Sequence, residues 1–199
     1  YQNTYTGIVG VLKCASKTNN HEEVIKAADR IINNNASKEA DVAEAYYLKA
    51  KSAYSINNKE VAYAAFNKVA AGPSSERAAE SKYMTAKILR ENNLYKASLD
   101  TCFKIKTKFA SYEYWYVKTF ILMADDYYQL GNVLQAKATL ESIVANYKGD
   151  ETLLEEAKAK LDEINNEELK KSRIMEIAPS DEMQMIQGDS ILNNQNLKK

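Results

Sequence analysis

The side chains with the greatest potential for chemistry are one histidine and two cysteines. His21 is the only histidine in the 199 residues, and it directly precedes Glu22 and Glu23. Paired with Cys14, it could act as the general base of a nucleophile. Such a pair needs a third residue that orients the imidazole ring, and the sequence places none nearby. A histidine in a turn, flanked by acids and facing water, is the simpler interpretation, so we predict no catalytic residue and no enzyme.

The spacing of the cysteine, histidine and glycine residues does not indicate a metal or cofactor site either. Cys14 and Cys102 lie far apart without a CxxC pair, and one histidine cannot make an HExxH motif. The six glycines never form a phosphate-binding loop. We therefore predict no metal ligand and no cofactor. Each cysteine is interpreted as a small apolar core residue.

Charge and hydropathy argue against two further classes of function. Lys+Arg and Asp+Glu are balanced at 27 each and no basic run is present, so we expect no nucleic-acid partner. No segment reaches the roughly 18 consecutive apolar residues of a membrane span. Glycine (6) and proline (2) are scarce, which is typical of helices joined by short turns. The sequence predicts an all-α protein.

The helices that must position any functional residue come as internal repeats. Residues 43–51 and 79–87 share five of nine positions, and a third copy lies at 117–125. Each copy holds a small residue, Ala50, Ala86 or Ala124, where a second helix must approach closely. Turns at 57–58, 92–93 and 131–132 consist of Asn or Gly, which tolerate a left-handed backbone.

A second helix follows each of these turns. Apolar or small residues recur there at i, i+4 and i+7, which is one face of a helix. A less regular unit with the same register precedes the others. The three-residue faces are Val24, Ala28 and Ile31; Ala62, Phe66 and Val69; Ser98, Cys102 and Ile105; and Ala136, Leu140 and Ile143.

At these positions the sequence resembles the tetratricopeptide repeat (TPR), whose pattern includes a small residue and a Tyr on helix A and Ala-x-x-x-Phe on helix B. The second unit carries the pattern best, through Ala50, Tyr54, Ala62 and Phe66. The resemblance implies an α-solenoid of helix-turn-helix units. The repeat is slightly longer than the standard TPR unit, which is similar to TPR proteins of bacterial cell envelopes. The segment 114–140 resembles repeat proteins of Bacteroides type.

We divide the chain accordingly into three parts. Residues 1–150 hold TPR-like repeats in about four helix pairs, 5–36, 38–72, 75–110 and 112–148. Residues 151–166 form a capping helix with an apolar stripe at Leu154, Ala157, Leu161 and Ile164. Residues 167–199 are a polar C-terminal extension.

The resemblance also implies a concave groove lined by fixed helix A positions. Tyr47 and Tyr83 would form one row beside a row of Lys51 and Lys87, a stripe that suits an extended peptide with carboxylate groups. The asparagines of the family's clamp for chaperone C-termini are absent, so we do not expect that ligand. The full set is Glu44, Tyr47, Lys51, Tyr54, Glu80, Tyr83, Lys87, Arg90, Lys118, Ile121, Asp125 and Tyr128.

An aromatic run from Tyr112 to Phe120 permits two interpretations. It could be a hot spot for a partner, since Tyr and Trp are favoured there. It could instead pack against Phe103 and Phe109 of the preceding unit, which we favour. Trp115 is then the residue we expect to stay out of that packing.

The function that follows is a non-enzymatic scaffold that binds a protein or peptide partner, in bacterial envelope assembly or maintenance. A periplasmic or outer-membrane location is expected, with any signal sequence outside these residues. The alternative is the structural C-terminal end of a longer TPR solenoid with no ligand of its own. That alternative predicts an exposed apolar N-terminal surface at Ile8, Val9 and Leu12.

Overall fold

The structure, a computed structural model, describes residues 4–177, with side chains up to residue 173. Every regular element in this range is an α-helix, so the predicted all-α class is confirmed, and none of these helices is both long and apolar enough to cross a membrane. The helices are α1 (Tyr5–Lys17), α2 (His21–Ile32), α3 (Glu39–Ser55), α4 (Lys59–Ala71), α5 (Glu76–Glu91), α6 (Tyr95–Lys108), α7 (Glu113–Gln129), α8 (Val133–Asn146) and α9 (Glu151–Ile177).

Each helix packs against the next one along the chain, which makes α1/α2, α3/α4, α5/α6 and α7/α8 antiparallel pairs. The first helices of successive pairs also touch, as α1 with α3, α5 with α7, and α7 with α9. We call the odd-numbered helices the A helices and α2, α4, α6 and α8 the B helices. Side-chain hydrogen bonds from Tyr47 and Tyr54 join α3 to α5, so the A helices form a continuous layer, which is the arrangement of an α-solenoid.

The turn inside each pair has one geometry, repeated four times. One residue has a left-handed backbone: Asn19 (φ 54°), Asn57 (φ 60°), Asn93 (φ 61°) or Gly131 (φ 79°). The amide of the following residue then donates to a carbonyl five residues earlier, as in Asn58 to Ala53 at 2.8 Å. This is the Schellman ending of a helix, and Asn and Gly are the residues that adopt it at least cost. The prediction that the Asn and Gly residues of these turns adopt a left-handed backbone is confirmed.

Small residues let the paired helices approach closely. Ala50, Ala86 and Ala124 are fully buried on the A helices, and Ala62 and Ala136 are fully buried on the B helices that face them. Four apolar clusters fill the spaces between successive helices. A larger side chain at these alanines would force the helices apart in a close-packed core.

The last helix differs from its prediction in length and in face. α9 continues to Ile177, so the end predicted at 166 is too early, and residues 178–199 of the predicted extension lie outside the described range. Leu153 is buried with Ala157 and Ile164, whereas Leu154 is only partly buried. α9 packs on both α8 and α7 and so takes the place of a fifth A helix.

Two expectations for the first unit and the cysteines are wrong. Ile8 and Leu12 are buried against α2 and Val9 is partly buried, so they do not form the exposed apolar surface that the structural alternative predicts. Cys102 is buried as expected, but Cys14 is exposed because it lies two positions from the buried Leu12 and therefore on the opposite side of α1.

Candidate interaction surfaces

The predicted groove residues lie on one face of the A helices, which we call the inner face. Three tyrosines there donate hydrogen bonds to carboxylates of the next A helix. Tyr47 Oη donates to Glu80 Oε2 at 2.7 Å and Tyr54 Oη donates to Glu91 Oε1 at 2.6 Å. The Tyr128 hydroxyl donates to Glu167 in the same way. The inner face is therefore cross-linked from unit to unit by this ladder of bonds.

Ion pairs continue the ladder at the C-terminal end. Arg90 of α5 reaches Asp125 at 3.4 Å, and Lys160 of α9 donates to both carboxylate oxygens of Asp125 at 2.8 Å. Lys118 pairs with Glu156 at 3.4 Å. A cavity of about 300 Å³ lies beside Arg90, Asp125 and Lys160. Because its charged residues already pair with one another, it offers little for a ligand.

Lys51 and Lys87 are the predicted cations that remain accessible. Their side chains are 54% and 40% exposed, and each lies 4.0 Å from a carboxylate, Glu80 or Glu91. Their ammonium groups lie 5.3 and 5.4 Å from the ring centres of Tyr47 and Tyr54. The two lysines thus lie at equivalent positions of successive units, but Lys51 pairs with a tyrosine of its own helix, whereas Lys87 of α5 pairs with Tyr54 of α3.

The predicted row of exposed tyrosines does not form. Tyr83 is only 7% exposed, and its ring centre lies 5.5 Å from that of Trp115. Ile121, at the same register in α7, is also buried. The reason is that α5 and α7 are covered at this position by the A helix that follows them, whereas Tyr47 stays partly open.

The aromatic run packs against Phe109 as expected, but Phe103 is exposed and does not belong to that cluster. Trp115 takes part in the packing. Tyr112, Trp115 and Phe120 all pack against the buried cluster that contains Phe109, and Tyr114 meets Trp115 edge-on at 4.9 Å. The expectation that Trp115 stays outside this packing is wrong. The tilted contact of Trp115 with Tyr83 stabilises the interface between α5 and α7.

The tyrosines of the ladder keep their protons at neutral pH and can therefore donate hydrogen bonds to the carboxylates. Burial and the bond to Glu80 raise the pKa of Tyr47, and burial and the bond to Glu91 raise the pKa of Tyr54. The bond to Glu167 raises the pKa of Tyr128 to about 12. Burial acts to raise the pKa of Glu91, yet the bonds from Tyr54 and Lys59 lower it overall. The neutral Tyr54 phenol thus donates to an ionised Glu91.

A buried carboxylate, Asp126, is a feature that the sequence did not indicate as functional. Burial raises its pKa to about 6, although Ser98 and Arg90 beside it favour the charged form. Arg90 Nε lies 3.5 Å from its Oδ1. The only sequence signal was an acid inside the apolar run around Met123. We interpret it as a structural group, since it lines none of the cavities described for residues 4–177.

Two grooves lie on the other side of the A helices, between successive B helices. The lysine groove, named for Lys82, Lys104 and Lys108, lies between α4 and α6 and has a volume of about 880 Å³. The aromatic groove, named for Tyr116, Phe120 and Tyr127, lies between α6 and α8 and has a volume of about 730 Å³. Sequence reasoning missed both, because their walls come from helices in different units.

The groups first considered for chemistry do not meet. His21 begins α2 and Cys14 lies on α1, and no hydrogen bond joins them among residues 4–177. No set of three or more His, Cys, Asp or Glu residues within that range is placed to hold a metal ion.

The helix pairs, the repeated turns and the layer of A helices define a TPR-like α-solenoid. The crystal structure of MamA, a TPR-like protein, matches this chain with a TM-score of 0.53 at 15% sequence identity, over 82% of this chain and 97% of that one. No family model matches the chain, and no curated protein matches its sequence. At this identity the likeness concerns the fold alone.

Proposed function

We propose that this protein is a non-enzymatic scaffold that binds an extended, acidic segment of a protein partner along its inner face. The observation that carries the proposal is the pair Lys51 and Lys87. These exposed cations lie at equivalent positions of two successive units, each against a tyrosine ring. An extended chain that passes from one unit to the next would meet both in turn.

The ladder supports this proposal by holding the surface in one shape. The bonds from Tyr47 to Glu80 and from Tyr54 to Glu91 fix the A helices relative to each other before a partner arrives. A preorganised surface loses less conformational entropy on binding than a flexible one. The carboxylates of Glu80 and Glu91 also limit the net positive charge, so specificity must come from geometry more than from charge alone.

The test compares capture of partners from an extract of the source organism by wild type and by Lys51→Glu/Lys87→Glu. We expect the double variant to lose at least about tenfold in captured partner, because two attractive contacts become repulsive. Lys26→Glu/Lys68→Glu is the matched control, since these lysines lie on B helices α2 and α4. If the inner-face variant and this control retain partner equally, the inner face is not the binding site.

A role in bacterial envelope assembly or maintenance is the second part of the proposal. It rests on the length of the repeat, which exceeds that of the standard TPR unit as it does in envelope TPR proteins. Fractionation of the source cells, followed by immunodetection, tests it directly. Recovery in the periplasmic or outer-membrane fraction would support the role, and recovery in the cytosol alone would refute it.

A further inference from the structure

The lysine groove gathers positive charge that the protein leaves without an ionic partner. α4 and α6 form its walls, and Lys82 of α5 forms its floor. Lys82 lies two positions from Glu80, and therefore on the opposite side of α5 from the inner face. Lys104 and Lys108 reach into the groove from α6. One carboxylate, Asp100, lines the same groove.

The hydrogen bonds of these lysines are with neutral oxygens, and Lys108 Nζ also lies 5.1 Å from the ring centre of Phe109. Lys82 Nζ lies 3.2 Å from Asn67 Oδ1, and the Asn67 amide donates to the Tyr63 carbonyl, which directs its oxygen toward the lysine. Lys108 Nζ donates to the carbonyls of Ala70 and Gly72 at 3.3 and 3.4 Å. Within the described chain none of the three lysines forms an ion pair.

The charges of Lys104 and Lys108 act on Lys82, which lies between α4 and α6 at the floor of the groove. Burial lowers the pKa of Lys82, and the charges of Lys104 and Lys108 lower it further. No carboxylate opposes that effect strongly enough to restore the value. A negatively charged ligand in the groove would relieve this repulsion, and so would bind more tightly than on a neutral surface.

The fold itself does not require lysines at these positions. Asn93 and Gly131 occupy the equivalent turns of the two neighbouring units, and they fix the register between them. At that register the aromatic groove has Phe120 in place of Lys82, Ser142 in place of Lys104 and Asn146 in place of Lys108. The same backbone architecture is therefore built with neutral side chains one unit away.

The groove also has an apolar part and room for more than a small ion. Phe103 on α6 is 45% exposed, and Ala70 and Ala71 lie on the facing wall. A volume of about 880 Å³ falls within the range of sites that enclose a substantial ligand. An inorganic anion would leave Phe103 unused, whereas a peptide with acidic and apolar side chains would use both parts.

We propose that the lysine groove is a second binding site, which takes an acidic segment of a partner protein. Its carboxylates contact Lys82 and Lys104 between α4 and α6, and one of its apolar side chains covers Phe103. This site lies on the side of α5 opposite Lys51 and Lys87 and does not depend on binding at the inner face. Charge complementarity gives the site its preference for acidic over basic segments.

The experiment measures fluorescence anisotropy of a short labelled peptide in which Glu alternates with Leu, titrated with the full chain. We expect saturable binding that weakens as salt is raised. Lys82→Phe/Lys104→Ser, which installs the residues of the neighbouring groove, should weaken it by at least about tenfold. The same loss is expected when Lys51→Glu/Lys87→Glu is present in both proteins, because that pair removes any binding of the peptide at the inner face and lies on the other side of the molecule.

A charge-matched control is Lys96→Ser/Lys106→Ser, which removes two lysines of α6 that do not line the lysine groove. Urea unfolding of every variant shows whether the fold is retained. The proposal is overturned by an absence of saturable binding, or by equal losses in the groove variant and this control. It is also overturned if a Ser/Leu peptide binds as well, or if inorganic phosphate or anionic phosphatidylserine vesicles bind through the same lysines while the peptide does not.

Discussion

The lysine groove and the aromatic groove have the same backbone arrangement in successive units and differ in the side chains that line them. The lysine groove lies between α4 and α6 over α5, and the aromatic groove lies between α6 and α8 over α7. One has Lys82 on its floor and the other has Phe120 at the equivalent position. The repeat register therefore decides where a groove forms, and the residues that escape the repeat pattern decide what it can bind. In a solenoid, departures from the repeat are the places to look for function.

The largest expected effect is on stability, when the residues at the bottom of the two grooves, Lys82 and Phe120, are each replaced by the other. Phe120→Lys should destabilise the protein by about 2 to 3 kcal/mol, since it removes a partly buried ring shared by two apolar clusters. Lys82→Phe should change stability by less than about 1 kcal/mol, because the ring covers Ala70 while the lysine loses only its contact with Asn67. Urea unfolding followed by circular dichroism measures both. Equal costs would show that Lys82 has a structural role as large as that of Phe120.

A smaller effect concerns the pH dependence of stability. Asp126 of α7 occupies the repeat position that Ile88 occupies in α5, and both side chains are buried. Asp126 has a pKa of about 6 in the folded state against 3.8 ordinarily, so the folded protein binds the proton more strongly. Its contribution to stability is then greatest at low pH and is lost as the pH rises from about 4 to 6. Relative to Asp126→Asn, the wild type should lose about 2 kcal/mol of unfolding free energy across that window.

Urea unfolding at a series of pH values measures this difference. The groups around the carboxylate are Arg90, Ser98, Cys102 and Asp125, and none of them is altered by the substitution. Asp125→Asn is the control, and it should instead destabilise the protein at neutral pH because Asp125 pairs with Arg90 and Lys160. A pH-independent gap between wild type and Asp126→Asn would show that Asp126 is not the titrating group.

The smallest effect separates structure from binding inside the lysine groove. Lys108→Asn installs the residue of the aromatic groove and should cost about 0.5 to 1 kcal/mol, because Lys108 caps the C-terminal carbonyls of α4. Lys104→Ser should cost less than about 0.5 kcal/mol, since it makes no such bond. Thermal unfolding compares the two. A cost for Lys104→Ser as large as for Lys108→Asn would give Lys104 a structural role as well.

The helices and their turns were predictable because they depend on neighbours in sequence. The period of the apolar residues and the Asn or Gly at each turn are local signals, and the structure follows them. The length of α9 was not predictable, since its last turns carry mixed polar and apolar residues that do not separate helix from extension.

The surfaces were less predictable because exposure depends on what packs from another unit. Tyr47 and Tyr83 share a register, yet Tyr83 is covered by the following A helix. Lys82 and Lys104 each look like an ordinary solvated residue of their own helix. Only the packing of α6 beside α5 and α4 brings them to one groove, and no periodicity within a single helix contains that information.

The bonds of the inner-face ladder each join one unit to the next, as Tyr47 joins Glu80, Tyr54 joins Glu91 and Tyr128 joins Glu167. The helix contacts within residues 4–177 have the same short range, since each helix touches the next one or the next but one. Contact order is therefore low, and each unit can form as soon as its neighbour has been synthesised. Folding should advance from the N-terminus as the chain is synthesised. When the units at one end unfold locally, the distant units should remain folded.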